Sequence, residues 1–290
     1  MKSKIINGKE IAAKINDESM QLLHAHLNKR NPKLVIFYFG YNASSEIYIK
    51  YKCKSASKFN IDVDVIHEVN ASEQDMINLI SKANADQDVD GIMVQLPINI
   101  PQINVQKVLD TIDINKDVDG LTSWNLGQVW TRNDYLLASC TALACMQVFK
   151  EINYDLQGKQ VCIIGSTIVL GKPLAGMLNQ LHATVSLLNS FTPNLSTYTK
   201  FADVIVSATG IKHLLSKEMV KKDVVLIDVG SNKDENNVTH GDFDPVEFTD
   251  IASVISPSPG GIGPITISML MHNVIKAYVH HLARTNNKGD

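Results

Sequence analysis

The chain has 290 residues, long for one hydrophobic core, so two domains are expected. Its formal net charge of −3 gives no electrostatic reason to expect nucleic acid or an anionic membrane as partner. The four cysteines, Cys53, Cys140, Cys145 and Cys162, form neither a CxxC pair nor a zinc-like spacing with histidine, which excludes the common structural metal motifs and fits free thiols in a reducing cytosol.

The opening "MKSKIINGKEIAAK" lacks the apolar core of a signal peptide, and no apolar run approaches the roughly 20 residues of a membrane span. A cytoplasmic protein is therefore expected. Residues 10–29 carry Ile11, Ile15, Leu22, Leu23 and Leu27 at approximately helical spacing. "KLVIFYFG" (33–40) reads as a buried strand, and "SEIYIKYKCK" (45–54) as the following helix, with Ser44 or Ser45 available near its start. "IDVDVIHEV" (61–69) alternates like a strand, and "SEQDMINLISKANA" (72–85) opens with a capping-box pattern, Ser72 to Asp75. "DGIMVQLP" (90–97) is a further short strand stopped by Pro97. Strands alternating with helices predict a parallel sheet with crossover helices.

The polar passage 110–127 reads as a connection, after which a second alternation begins. "KQVCIIG" (159–165), "ATVSLL" (183–188), "ADVIVSAT" (202–209) and "DVVLIDVG" (223–230) read as strands. "VLGKPLAGMLNQL" (169–181) reads as a helix, and residues 263–283 as a long final helix with Pro264 near its start. The expected fold class is α/β with two domains: a parallel-sheet catalytic domain over 1–139, completed by a C-terminal helix (268–290), and a Rossmann-like dinucleotide-binding domain over 140–267.

"VCIIGSTIVLGKP" (161–173) is a strand, a glycine turn and a helix start, where backbone amides can receive a pyrophosphate. It is not a Walker A loop, because five residues separate Gly165 from Gly171 and Pro173 replaces the hydroxyl. The Rossmann GxGxxG fails too, since Thr167 occupies the second glycine position. Taken alone, the loop fits a plain strand–helix turn as well as a cofactor site. "SATG" (207–210) and "DVG" (228–230) end two further strands in small residues, and open α/β sheets bind ligands at such ends. A dinucleotide is therefore the favoured ligand of the second domain. In 45–54, Ser45, Tyr48 and Lys52 share a helix face, whereas Lys50 and Lys54 form a separate i,i+4 pair. Spacing alone does not make either set catalytic.

The chain resembles the bifunctional methylenetetrahydrofolate dehydrogenase/cyclohydrolases almost end to end. The motifs, in order, are "IINGKEIA", the Ser45/Tyr48/Lys52 stripe, "DGIMVQLP", "NKDVDGLTSWNLG", "GSTIVLGKP", "VVLIDVG", "GDFD" and "SPSPGGIGPITISML". The resemblance implies that Lys52 is the central catalytic group, assisting attack of water on the methenyl intermediate, with Gln95 holding its side chain. It implies that Tyr48 stacks on the folate ring system and that Asp119 binds the pterin's polar edge through a forked pair of accepted hydrogen bonds. Ser45, Leu96, Pro97, Pro259, Gly260 and Gly261 would complete the substrate contacts. Gly165, Ser166, Thr167, Ile168, Gly171, Ser190, Thr209, Gly210 and Ile211 would contact NADP, with NAD as the alternative; no metal is implied. The partners are tetrahydrofolate derivatives and a second copy of the chain.

Singly, these residues have ordinary readings: Tyr48 as packing, Gln95 as a strand cap, Asp119–Gly120 as a turn pair and Gly260–Gly261 as loop punctuation. Three departures from the family pattern stand out. Ser166 replaces an arginine able to meet a 2′-phosphate, and Ser190 has no basic neighbour at its strand end. "CTA" (140–142) replaces Cys-Thr-Pro, with a looser helix start expected, and "SPSPGG" replaces a more apolar loop. The alternatives are a monofunctional dehydrogenase of the family, a shikimate-dehydrogenase-like oxidoreductase, and a non-catalytic folate- or nucleotide-binding paralogue.

Overall fold

The computed structural model describes residues 3–26, 30–132, 134, 136–233 and 238–286, with backbone only for the side chains at 233 and 286. In chain order the strands are β1 (Lys4–Ile5), β2 (Lys33–Phe39), β3 (Asp62–Glu68), β4 (Gly91–Gln95), β5 (Gln160–Ile164), β6 (Thr184–Leu188), β7 (Val204–Ser207), β8 (Val225–Asp228), β9 (Asn232–Lys233), β10 (Thr239–His240) and β11 (Val254–Ser256). The helices are α1 (Gly8–His26), α2 (Ala43–Ser57), α3 (Glu73–Ala85), α4 (Val105–Leu109), α5 (Ser123–Thr131), α6 (Cys140–Glu151), α7 (Gly171–Gln180), α8 (Ser196–Thr199) and α9 (Ile262–Asn286).

Two compact units result. One is built on a parallel three-stranded sheet in the order β3-β2-β4, with Tyr38 of β2 opposite Gln95 at the end of β4. β2 and β4 are buried along their whole apolar lengths, as expected of strands covered on both faces. Here α2 starts from Asn42, whose Oδ1 accepts from the Ser45 amide at 3.0 Å, so the cap is neither of the serines expected. α3 carries the predicted capping box between Ser72 and Asp75. The passage 110–127 is not wholly a connection, since α5 begins at Ser123.

The second unit holds a six-stranded parallel sheet in the order β1-β11-β8-β7-β5-β6. β5 has its successor β6 on one side and β7 on the other, so the topological switch lies between β5 and β7. Ile164, Leu188, Ile205, Leu226 and Ile255 form its core with Phe243 and Phe248, whose rings meet edge-on with centroids 5.4 Å apart. Burying each such side chain contributes roughly 1.5–3 kcal/mol.

The division between units differs from the expected 1–139 and 140–267 segments. Described residues up to Lys14 group with the six-stranded sheet, because β1 pairs with β11. From Ile267 onward α9 groups with the three-stranded sheet. α6 begins at Cys140, with the alanine of "CTA", Ala142, fully buried inside it.

Candidate active site

α2 follows β2 and returns across the C-terminal end of β4, which brings Lys52 to Gln95. The Lys52 ammonium donates to Gln95 Oε1 at 2.8 Å, and Gln95 Nε2 donates to the Leu96 carbonyl at 2.7 Å, fixing which end of the amide faces the lysine. Burial pushes the Lys52 pKa down, and the nearby Asp119 carboxylate opposes it. Lys50 and Lys54 on the same helix are exposed. Tyr48, one turn before Lys52, is 45% exposed, while Ser45 is buried.

Asp119 is carried on a tightly held turn. The buried Asp117 accepts from the Leu121 and Thr122 amides at 3.2 and 2.8 Å and from Asn125 Nδ2 at 2.9 Å. Gly120 has φ +66 and passes so close to the chain that a Cβ would lie 2.2 Å from the Ala138 carbonyl carbon. Asn273 of α9 locks the two strands of this contact: its Nδ2 donates to the Val118 and Ala138 carbonyls at 2.9 and 3.0 Å. The Cys140 thiol donates to Val118 O at 3.2 Å, and burial together with Asp119 pushes its pKa well above the ordinary value. Cys140 is therefore a neutral thiol beside Lys52 and Asp119. Leu96 and Pro97 follow Gln95 directly, Pro97 being exposed and in a cis peptide bond.

In the other unit, the β5–α7 turn is shaped by glycine. Gly165 has φ +120, and a Cβ there would lie 2.7 Å from the Ala208 carbonyl oxygen at the end of β7. A Cβ on Gly171 would lie 1.9 Å from the Gly165 carbonyl oxygen. The turn is thus packed at the switch point, with Ser166 and Ile168 half-buried and Thr167 exposed. No side chain caps α7 at Leu170. Such a backbone cradle fits a dinucleotide. Ser190 is exposed just beyond β6, and Thr209, Gly210 and Ile211 follow β7. Pro259, Gly260 and Gly261 also lie in this unit. Gly8 N donates to Gly260 O at 2.9 Å, and a Cβ on Gly8 would lie 1.8 Å from Gly261 O. The motifs "IINGKEIA" and "SPSPGGIGP" thus meet through backbone.

Residues 6–119 match the family model for the tetrahydrofolate dehydrogenase/cyclohydrolase catalytic domain, and residues 139–282 match that for the NAD(P)-binding domain of the same enzymes. The chain belongs to the tetrahydrofolate dehydrogenase/cyclohydrolase family. It is 38% identical to the bifunctional protein FolD of Staphylococcus carnosus over 279 residues, covering 96% of this chain and 97% of that protein. The crystal structure of the bifunctional FolD enzyme from Campylobacter jejuni is 35% identical with a TM-score of 0.91, covering 97% of this chain and 99% of that one. The Trypanosoma brucei enzyme, solved with NADP cofactor and an inhibitor, is 28% identical with a TM-score of 0.91, again covering 97% and 99%.

Within this family member, Lys52, Gln95 and Asp119 come together around one point, with Tyr48 a turn away on α2. Of the second set expected from the sequence, Gly165 to Ile168 follow β5 and Thr209 to Ile211 follow β7, at the β5–β7 switch, whereas Ser190 lies beyond β6. Residue-level reading missed the supports. Cys140 was legible only as a free thiol, and Asp117 as one acid of a polar turn. Asn273 carried a signal, being a polar residue inside the apolar run "SMLMHNVIKAYV". A buried asparagine in such a run calls for backbone partners. Asp228 and Asp242, quoted within "VVLIDVG" and "GDFD", face each other: the Asp242 amide donates to Asp228 Oδ2 at 2.8 Å. Among the described residues, no group of three or more His, Cys, Asp and Glu is placed to hold a metal ion, and no helix is long and apolar enough to cross a membrane.

Proposed function

We propose the following division of labour for the oxidation of 5,10-methylenetetrahydrofolate with NADP and the hydrolysis of the product to 10-formyltetrahydrofolate. The observation that carries it is the Lys52–Gln95 hydrogen bond beside Asp119, in a place where burial lowers the lysine pKa. Asp119 accepts two hydrogen bonds from the aminopyrimidinone edge, and Tyr48 stacks on the ring system. The tight turn at Gly120 fixes the carboxylate, so that the reacting carbon is delivered to Lys52 with little orientational freedom left to lose. Bound at the Gly165 turn, the dinucleotide accepts the hydride that leaves the methylene carbon.

In the hydrolytic step, water adds to the methenyl carbon and loses a proton, and one carbon–nitrogen bond of the ring then breaks. Lys52 is the group that takes and returns that proton. A lysine at its ordinary pKa is almost fully charged near neutrality, whereas a desolvated one has a neutral fraction able to act as base. Gln95 holds Nζ in place through its Oε1. Ser45, Leu96 and Pro97 complete the substrate contacts in this reading. Gly165 to Ile168, Gly171, Ser190 and Thr209 to Ile211 hold the cofactor. The reading also places the enzyme in the cytoplasm as a homodimer; a monomeric mass in sedimentation would remove that last part.

The test is a paired assay on one preparation: NADP reduction dependent on methylenetetrahydrofolate, and hydrolysis of the methenyl derivative. Lys52→Ala is expected to abolish most of the hydrolysis. Unchanged hydrolysis in that variant would remove Lys52 from the mechanism, and absence of both activities in the native protein would remove the proposal.

A further inference from the structure

Asp242 is fully buried in the unit that carries the cofactor turn, on the loop after β10. Its Oδ2 accepts from Ser207 Oγ at 2.5 Å, from the Thr209 amide at 2.8 Å and from Thr209 Oγ1 at 2.9 Å. Its Oδ1 accepts from the Gly210 amide at 2.8 Å. Both oxygens of the carboxylate are thus engaged, Oδ2 by three donors and Oδ1 by one. The Thr209 hydroxyl in turn accepts from the Ile211 amide at 3.1 Å, so the backbone amides of three consecutive residues are tied directly or indirectly to one carboxylate.

The carboxylate packs closely against glycine backbone. A Cβ on Gly230 would lie 1.9 Å from Asp242 Oδ1, and one on Gly241 would lie 2.0 Å from Asp228 Oδ2. Asp228 holds the following backbone by accepting from the Asp242 and Phe243 amides at 2.8 and 3.3 Å. The segment fixed in this way leaves β7 directly beside Gly165, at the switch point of the sheet.

We propose that Asp242 is a positioning residue for the dehydrogenase reaction, holding Thr209–Ile211 in the one shape that receives the dinucleotide. This rests on the reading of that segment as a cofactor contact. It also sharpens that reading. The Thr209 and Gly210 amides are spent on Asp242, so they do not serve phosphate. The segment instead offers its carbonyl oxygens and the 56%-exposed Ile211 side chain, groups suited to an uncharged ring or ribose.

The experiment uses full-length protein, with KM for NADP and kcat measured at saturating methylenetetrahydrofolate. Hydrolysis of added methenyltetrahydrofolate serves as the control on the same preparation. Asp242→Asn keeps the shape but, whichever way it is turned, points its NH2 at a backbone amide donor, that of Gly210 or that of Thr209, and is expected to raise KM for NADP about tenfold or more. Its kcat and its hydrolysis rate are expected to stay within about threefold. Thr209→Val, which removes one bond of the set, gives the same pattern at smaller amplitude, and Thr209→Ser restores it. Ile211→Asp tests the underlying reading directly. If Ile211→Asp raises KM and Asp242→Asn with Thr209→Val does not, the segment contacts cofactor without help from Asp242 and the proposal is overturned. If Ile211→Asp has no effect, the reading of the segment fails and the proposal falls with it. A parallel loss of hydrolysis in the Asp242 and Thr209 variants would show general damage to the fold, which also overturns it.

Discussion

The hydrogen bond from Lys52 to Gln95 can be perturbed in two opposite directions at one position. Gln95→Leu removes the acceptor, whose bond to a charged donor is worth about 1.5–3 kcal/mol. Nothing replaces it in the desolvated surroundings of Nζ, so the charged lysine is disfavoured further. The pH at which Lys52 becomes neutral is expected to fall by about one to two pH units. Gln95→Glu places a carboxylate where the amide oxygen now lies, 2.8 Å from Nζ. At an effective dielectric of about 20 the attraction there is roughly 6 kcal/mol, before the cost of desolvating the new carboxylate is subtracted. Even a quarter of that is about one pH unit in the other direction. The assay is the pH profile of methenyl hydrolysis under conditions where substrate is saturating, from about pH 5 to 10, reading the limb on which activity rises as the base is freed. Gln95→Leu is expected to move that limb toward acid and Gln95→Glu toward alkali. If both variants keep the native limb, or both move it the same way, Lys52 is not the titrating base of this step.

Burial, followed by neighbouring Asp242, pushes the Asp228 carboxyl up to about 7. A folded value above the ordinary carboxylate range means that its contribution to stability is fully present below about pH 4 and lost as pH rises through about 7, by at most roughly 4 kcal/mol. The melting temperature of the native protein should therefore fall between pH 5 and 8 relative to that of Asp228→Asn, and parallel curves would contradict this. Asn273→Leu strands the Ala138 carbonyl, at about 1–3 kcal/mol, and leaves the Val118 carbonyl only the weaker Cys140 thiol donor. Thermal melts should show that loss, and KM for the folate substrate should rise as the Asp119 turn loosens. Gly8→Ala drives a methyl into the Gly261 carbonyl, and a destabilisation of roughly 1–3 kcal/mol or more is expected in denaturant titration. Lys50→Ala and Lys54→Ala are expected to leave both activities within about twofold, since exposed charges on a helix are worth little.

The long strands were legible because each is an apolar run closed by glycine or proline: "KLVIFYF" before Gly40, "GIMVQ" before Leu96–Pro97, "QVCII" before Gly165. β1 and β11 were not, because two or three residues give no periodicity to count. Their pairing also moves the described residues up to Lys14 into the second unit, a long-range event between residues 4 and 254 with no local signature. α5 was hidden inside a polar passage whose turn residues outweigh the helical "NLGQVW". Legibility at the site followed the same division. The groups proposed to meet ligand were carried by ordered motifs. The groups that support them, Asp117, Asn273, Asp228 and Asp242, act through partners up to 155 residues distant, and only Asn273, polar inside an apolar run, carried a local signal.

The three alternating lysines of α2 show where physical structure adds a decision that spacing lacked. Lys50, Lys52 and Lys54 have the same intrinsic pKa and sit within a turn or so of one another. A helix advances about 100° per residue, so Lys52 lies on the side opposite the Lys50/Lys54 pair, and only it or that pair can face the end of β4. The one that does so is Lys52, and three consequences follow together. It loses water, it gains a neutral acceptor in Gln95 in place of a carboxylate partner, and it keeps Asp119 near enough to retain part of its charge. A fully paired lysine would remain locked as an ammonium, and an isolated buried one would be neutral but unheld. A neutral hydrogen-bond acceptor at contact with a carboxylate further off lies between those limits, which is the state a reversible proton carrier requires.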